Sequence, residues 1–575
     1  MTIYKNLLAR GYLPKELPPS FFSDHFAAYA TSKAGRAVLS SYKPSDNFTE
    51  CVSYRLALPG LNHRLLRIPH PYSYSKLARI TAKNFRRLLQ KAGKSPFSKS
   101  RPVYQVRQRR ALRTLVKPSN LARERALSRG GSSHLLKVDV SQFYPSLYTH
   151  AVGWAVDPKL RERANWSKKT LVGKQLDQAL MDLQGKVSQG IPIGTDLSFL
   201  LAETVLSQVD RSIDIGKSKA YRWFDDYEFA CDTREEAERI LSSLQRELDS
   251  YRLRLNPKKT QIIELPQPAS DGWHDVIIDA SKSAFSRPHA MVKYFDNAFS
   301  LASEHPELPI LLYAIGALFQ NHKPWDSVLR VAESCISQAM LREPGCAQKG
   351  LSLLQFWQIN GCPIDRNLWA HTTEQIIQRH ERSGASSDVA WALAFCIAQT
   401  LPISKKAGRI LASLNDDVIS IQALHADSLG LVHNFSKSGI EKFLANSEMD
   451  GNHWLAIYES VRHGFLPSLT PKVTSSKLMN DMLGKGVTFY RPSTPSYSLV
   501  IHSGGAPDWI TQKWINTIIT TSPEKFEEIF AGNSMLALLG EGLRNIAHQE
   551  KNEIEILLDL MGIEEPETAV FEPYA

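Results

Sequence analysis

"AYRWFDDYEFACD", residues 220–232, sets two carboxylates, Asp225 and Asp226, side by side between two apolar, aromatic runs that each look like half of a β-hairpin. Adjacent acids at a hairpin tip repel one another. Such a pair makes physical sense when a divalent cation lies between it and a third acid from elsewhere in the chain. Upstream, "SSHLLKVDVSQFYPSLYTH" (132–150) alternates Leu136, Val138 and Val140 with Lys137 and Asp139. A period of two predicts a strand whose aliphatic side is buried and whose other face carries Asp139. Three carboxylates meeting on one face offer hard oxygen ligands for two Mg²⁺ ions, the arrangement that clamps attacking and leaving oxygens in phosphoryl transfer.

Between these runs lies "QGIPIGTDLSFLLAETVLSQVD" (189–210), a Gly- and Pro-containing turn leading into an amphipathic helix. Its glycines let backbone come close to a substrate or base pair. After the acidic hairpin, "EEAERILSSLQRELDSYRLRLNPKKTQIIEL" (235–265) predicts a charged amphipathic helix, a turn at Asn256–Pro257, and a strand behind Lys258 and Lys259. A lysine at that point can meet a departing pyrophosphate.

The 575 residues are too many for one ordinary domain. Short β-like runs mixed with helices fill residues 1–266, and Pro266, Pro268 and Gly272 punctuate the junction. From about 290 onward, stretches such as "WDSVLRVAESCISQAM" (325–340) and "DVAWALAFCIAQTL" (388–401) have helical periodicity. The expected division is a unit over 1–266, a junction over 267–290, and an α-helical C-terminal domain over 291–575.

A net charge of +11 favours an acidic partner, with nucleic acid ahead of a membrane because no lipidation or amphipathic membrane signal accompanies it. The charge is local: from Lys76 to Arg129 there are 17 Lys or Arg against one acid, Glu124. Within it, "KLARITAKNFRRLLQK" (76–91) fits one amphipathic helix that turns Leu77, Ile80 and Leu88 inward. Arg79, Lys83, Arg86 and Arg87 would then form a cationic stripe for nucleic-acid phosphates. Six scattered cysteines without a CxxC pair argue against a zinc site or a disulfide framework. The chain shows no signal-peptide run and no apolar stretch of about 18 residues. The expectation is a soluble, cytoplasmic protein without a membrane partner.

In order and spacing, "DVSQFY" (139–144), "QGIPIGTDLSFLLAE" (189–203), "FDDY" (224–227) and "LNPKKT" (255–260) resemble palm motifs A, B, C and D of reverse transcriptases. The resemblance covers roughly residues 60–266. "GYLPKELPPSFF" (11–22) and the helical second half further resemble the abortive-infection (Abi-type) reverse transcriptases of bacterial antiphage defence. What this implies is an α+β right-hand polymerase of fingers and palm, followed by an all-α, helical-array C-terminal domain. It would act as an RNA-directed DNA polymerase on dNTPs, with an RNA template or noncoding RNA, a DNA product, Mg²⁺ or substituting Mn²⁺, and self-assembly into an oligomer. The resemblance makes Asp139, Asp225 and Asp226 the metal-binding and catalytic acids. Tyr144 becomes a gate against ribonucleotides, and Lys259 the motif D lysine. Gln189 and Gly190 would touch the nucleotide or its template partner, and Arg101 and Arg107 the triphosphate. The usual Tyr-x-Asp-Asp is here Trp223-Phe224-Asp225-Asp226. Two other expectations stand beside this one: untemplated (possibly protein-primed) synthesis, which the resemblance to Abi-type relatives also implies, and, from another class, a catalytically silent RNA-binding scaffold, against which the intact acids argue.

Overall fold

The computed structural model describes residues 2–106, 110–320, 326–359 and 362–492. Two antiparallel hairpins come first, β1 (Cys51–Ala57) with β2 (His63–Pro69), then β3 (Pro102–Tyr104) with β4 (Leu112–Thr114). A four-stranded antiparallel sheet follows, made of β5 (His134–Asp139), β6 (Lys219–Trp223), β7 (Asp226–Cys231) and β8 (Gln261–Glu264) in the order β6-β7-β5-β8. The turn at Phe224–Asp225 makes β6 and β7 neighbours, and β7 then adds β5 along its other edge. Register places Asp139 directly opposite Asp226.

Helical periodicity explains how this sheet is covered. The helix Arg234–Ser250 buries Ala237, Ile240, Leu244 and Leu248, at successive spacings of three and four, against β5 and β7. The helix Asp196–Ser212 is sunk almost whole into the core, including polar Glu203 and Asp210. Its first turn is capped by Thr195, whose hydroxyl accepts from the Ser198 N–H.

The basic stretch 76–91 is two helices, Pro71–Lys83 and Phe85–Ala92, where the sequence predicts one. Asn84 breaks it. Its side-chain amide donates to the Ile80 carbonyl at 2.9 Å, competing with the backbone for the acceptor four residues back. Leu77 and Leu88 face inward as expected, and Ile80 is half-buried.

Two hydrophobic cores form. One joins the sheet, its helices and the N-terminal segment to Trp454, Tyr458 and Phe489, so it draws residues from both sides of Pro266. Within it Tyr12 stacks on Tyr74 at 4.3 Å and meets Phe489 edge-on at 6.0 Å. The other gathers residues 277–432 around Trp357, Trp369 and Trp391. The helices Asp326–Arg342 and Ser386–Gln399 occur where periodicity places them. The latter lies on β1, and its Trp391 indole N–H donates to the Glu16 carbonyl at 2.9 Å. All six cysteines are free thiols, five of them buried. Among the described residues no helix is long and apolar enough to cross a membrane.

Candidate active site

Strand pairing brings the three acids together. Asp139 ends β5, Asp226 begins β7 opposite it, and Asp225 occupies the turn, its carbonyl accepting from the Val140 N–H at 3.2 Å. Asp139 is 8% exposed, and its carboxylate accepts from Asn256 Nδ2 and Lys259 Nζ, each at 3.1 Å. Burial, and then the Asp139 charge, push the Asp225 carboxyl up to about 6. Asp226 is raised as well, first by burial and then by Asp225 and Asp139. Burial and neighbouring charge together therefore disfavour the ionised form of both acids.

The turn beneath these acids is held in a conformation that its residue disfavours. Phe224 adopts φ +50°, a region where a bulky side chain is an outlier. Both of its peptide groups are clamped. Its N–H donates to Ser100 Oγ at 2.8 Å, and its carbonyl accepts from Arg222 Nη1 at 2.8 Å. Arg222 is fully buried and spans Glu203 (2.9 Å) and Asp210 (2.7 Å) of the helix Asp196–Ser212. Ser100 Oγ donates to Glu203 at 2.7 Å, and the Tyr227 hydroxyl donates to Asp210 at 2.9 Å. Ser100, Glu203, Asp210 and Arg222 had no sequence signal beyond their motif neighbourhood. Only tertiary folding makes them one network.

The acids open into a cavity of about 760 Å³ whose walls include Tyr144, Phe199, Phe224, Ile193, Gly194 and the N-terminal residues Lys15 and Glu16. Tyr144 is half-buried, and its phenol is held well above its ordinary range by burial and by the Glu203 and Asp225 charges. It therefore stays a neutral hydroxyl beside the acids. Lys259 also lines the cavity.

Gln189 and Gly190 do not line it. Gln189 is exposed and bridges to Tyr148, while Gly190, at φ +84°, donates its N–H to the Leu147 carbonyl. The same loop reaches the cavity a few residues later, at Ile193–Asp196. Gly194, at φ +110°, packs so closely on Pro14 that a Cβ would fall 2.8 Å from its ring. Arg101 is outside the cavity and donates to the Gly93 carbonyl, and Arg107 lies outside the described residues. Among the described residues, the cations on the cavity wall are Lys15, Arg64, Arg110, Arg113, Lys117 and Lys259. Arg110 is committed to the buried Asp196 carboxylate and the Leu13 carbonyl, tying β4 to the motif B helix.

The basic stripe is also placed away from the cavity. Lys83 and Arg86 are exposed, Arg79 lies over the Tyr4 ring, and Arg87 is ion-paired with Asp157. Acids pair with part of the positive charge of 76–129, the segment's own Glu124 among them. Lys76 meets Asp182, Lys99 meets Glu124, and Arg125 and Arg129 share Glu228.

Among the described residues no group of three or more His, Cys, Asp or Glu stands ready-made to hold a metal ion. Both Asp139 oxygens are engaged, by Asn256 and Lys259. The donor chemistry nevertheless fits a hard divalent cation. Three carboxylates converge, two of them raised by burial and then by the neighbouring acid charges, and an ammonium supplies Asp139 with the charge such a cation would bring.

Residues 63–295 match the family model described as reverse transcriptase (RNA-dependent DNA polymerase). A comparison with curated proteins found no match. Among solved structures, the chain is similar to apo telomerase from Candida tropicalis truncated from its C-terminal domain, at 15% identity and TM-score 0.27, over 40% of this chain and 52% of that one. It thus spans about half the length of that relative. Full apo telomerase from Candida tropicalis matches at 13% identity and TM-score 0.31, over 62% of this chain and 66% of that one. Telomerase from Candida albicans, in complex with a telomeric RNA fragment, matches at 11% identity and TM-score 0.26, over 64% and 71% respectively. With its antiparallel sheet, acid-bearing turn and helical region beyond, the chain has a right-hand polymerase fold, and over residues 63–295 it carries a reverse transcriptase domain.

Proposed function

We propose that the chain is a DNA polymerase that extends a nucleic-acid strand with deoxynucleoside triphosphates, using Asp139, Asp225 and Asp226 to hold two Mg²⁺ ions, with Mn²⁺ as a substitute. The observation that carries this reading is the register of Asp139 opposite Asp226, with Asp225 in the adjoining turn, at the wall of one cavity. Bound there, the ions would supply charge stabilisation to the attacking and leaving oxygens.

The remaining work falls to side chains of this protein. Tyr144 stacks its bulk against the place of the sugar and excludes a 2′-hydroxyl. Lys259, which pairs with Asp139, would turn its ammonium toward the departing pyrophosphate if bound ions took its place at Asp139. Arg64, Arg113 and Lys117 line the wall where a triphosphate needs cations, whereas Arg101 does not. The Ser100–Arg222 clamp keeps the acid-bearing turn in its strained shape while the substrate changes. Enzymes place acids this way when the arrangement must exist before the substrate arrives.

The division at 1–266, 267–290 and 291–575, self-assembly, and a role in abortive-infection defence belong to the same proposal. The division rests on the punctuation at Pro266, Pro268 and Gly272 and the helical periodicity beyond it, and the other two on the resemblance of "GYLPKELPPSFF" and the helical second half. Primer extension with purified protein, Mg²⁺ and dNTPs, with and without an RNA template, tests the activity. Incorporation by the wild type and none by a folded Asp225→Ala, Asp226→Ala protein is expected. Incorporation that ignores the template would select untemplated synthesis, and none at all would leave the silent scaffold. Loss of plating protection by the same acid variant tests the defence role.

A further inference from the structure

We infer that residues 158–171 form a second contact for single-stranded nucleic acid, separate from the catalytic cavity, in which Trp166 stacks a base and flanking cations take its phosphates. None of these residues lines the cavity. The inference goes beyond polymer synthesis, because binding at this loop requires no chemistry.

The segment is a built loop, closed at its base. The Asp157 carboxylate accepts from the Gly173 N–H at 2.7 Å, joining the two ends of a 14-residue excursion between the helices Thr149–Val156 and Val172–Asp182. Compact surface loops of about this length with adjacent ends are frequently functional. Leu160, 4% exposed, plugs the notch where Gly153 and Gly173 approach too closely for a Cβ. The buried Asn165 amide ties the loop inside, donating to the Lys159 carbonyl at 2.9 Å and to Glu162 at 2.8 Å.

All this order holds an indole outward. Trp166 is 56% exposed, and its N–H already donates to the Leu160 carbonyl at 3.0 Å. The part presented to solvent is therefore a fixed ring face, with its one polar atom satisfied. Around it stand Lys159, Arg161, Arg163, Lys168 and Lys169, all exposed, against the single acid Glu162. Arg161 is held over the Trp154 and Tyr251 rings. None of the other four makes an ion pair among the described residues.

In 76–129, acids from outside the segment pair with Lys76, Arg87, Arg110, Arg125 and Arg129, so part of the charge is matched. Around Trp166 it is left facing water. The base of the loop also touches the neighbouring basic helix Phe85–Ala92. Arg87 pairs with Asp157, and Lys91 donates to the Ala155 carbonyl at 3.2 Å, so the exposed Arg86 belongs to an adjoining element. A flat, fixed aromatic beside unpaired cations suits a polyanion that carries its own flat rings. Single strands present both features, whereas a duplex hides its bases.

The test is fluorescence anisotropy of the full chain with labelled oligo(U) RNA and oligo(dT) DNA over a range of salt. Trp166→Ala should weaken binding by about 5- to 150-fold, the range carried by one base–aromatic stack. Trp166→Phe should restore most of it. Replacing Arg163, Lys168 and Lys169 by Gln should flatten the slope of log affinity against log salt by about 2, at ~0.7 per phosphate contact on single strands. Duplex binding should respond to the Gln variant and not to Trp166→Ala. Wild-type affinity in both variants would overturn the inference. So would a Trp166-dependent association with phosphatidylserine–phosphatidylcholine vesicles that the oligonucleotides lack, because the loop would then be a membrane contact.

Discussion

Arg222 reaches past its own strand to donate Nη1 to the Phe224 carbonyl, 2.8 Å away, while the rest of its guanidinium is locked between Glu203 and Asp210. Through that bond a fully buried cation sets the backbone immediately before Asp225. Charge burial of this kind costs stability unless every partner is present. Its location, under the acids, ties that cost to the geometry of the site.

Ser100→Ala should therefore lower kcat by about 5- to 100-fold with little change in KM, since an unpaired buried N–H costs ~1–3 kcal/mol and that N–H belongs to Phe224. Ser100→Thr, which keeps the hydroxyl, should recover activity. Steady-state incorporation kinetics read both. Arg222→Met should instead lower unfolding free energy by about 3–5 kcal/mol, because it strands two buried carboxylates.

The raised acids predict a pH dependence of stability. In a chelated, metal-free sample Asp225 and Asp226 hold their protons more tightly folded than unfolded. That contribution is fully present below the ordinary carboxylate range of ~4 and is lost as pH rises through the folded value of about 6. The thermal midpoint should fall between about pH 4.5 and 7.5. Asp225→Asn with Asp226→Asn should flatten that fall, and Mg²⁺ should reverse it at the upper end. A flat metal-free profile in the wild type would mean that neither burial nor neighbouring charge raises these acids.

Tyr144→Ala should raise rNTP use relative to dNTP use, as the ring next to Asp139 on the cavity wall no longer blocks the 2′-hydroxyl. Direct competition between the two substrates measures it. An unchanged ratio would assign the ring to packing against Phe143, 5.3 Å away.

A chain ending at Pro268 should aggregate. It loses Trp454, Tyr458 and Phe489, which complete the core around Tyr12 and Phe26. Three aromatics of ~150–250 Å² each correspond to on the order of 10 kcal/mol of lost burial at ~25 cal/mol per Å². Light scattering of the shortened and full chains distinguishes aggregate from monodisperse protein.

The acidic hairpin and its partner strand were legible because their signals are local. A period of two fixes which face Asp139 takes, and two aromatic runs around an Asp-Asp pair describe a turn. The helix boundaries in the second half followed for the same reason. The pairing of charges was not legible, since Asp157, Asp182 and Glu228 approach the basic segment only after folding. The break at Asn84 turned on a side chain taking a backbone acceptor, which periodicity does not register. Gln189 and Gly190 gave way to Ile193 and Gly194 on the cavity wall because Pro14 and Arg110, far off in sequence, decide how that loop is pressed.

The first core has a consequence for how the chain emerges from the ribosome. The reverse transcriptase strands are complete by Glu264, yet Trp454, Tyr458 and Phe489, which seal the N-terminal segment against them, are made roughly two hundred residues later. At synthesis rates of about 5–20 residues per second, the strands and acids wait about 10–45 s for those side chains. During that interval Tyr12 and Phe26 lack their last neighbours and leave apolar surface open to misassembly. Cells that make this protein must either shelter the nascent chain or translate the helical half without pause.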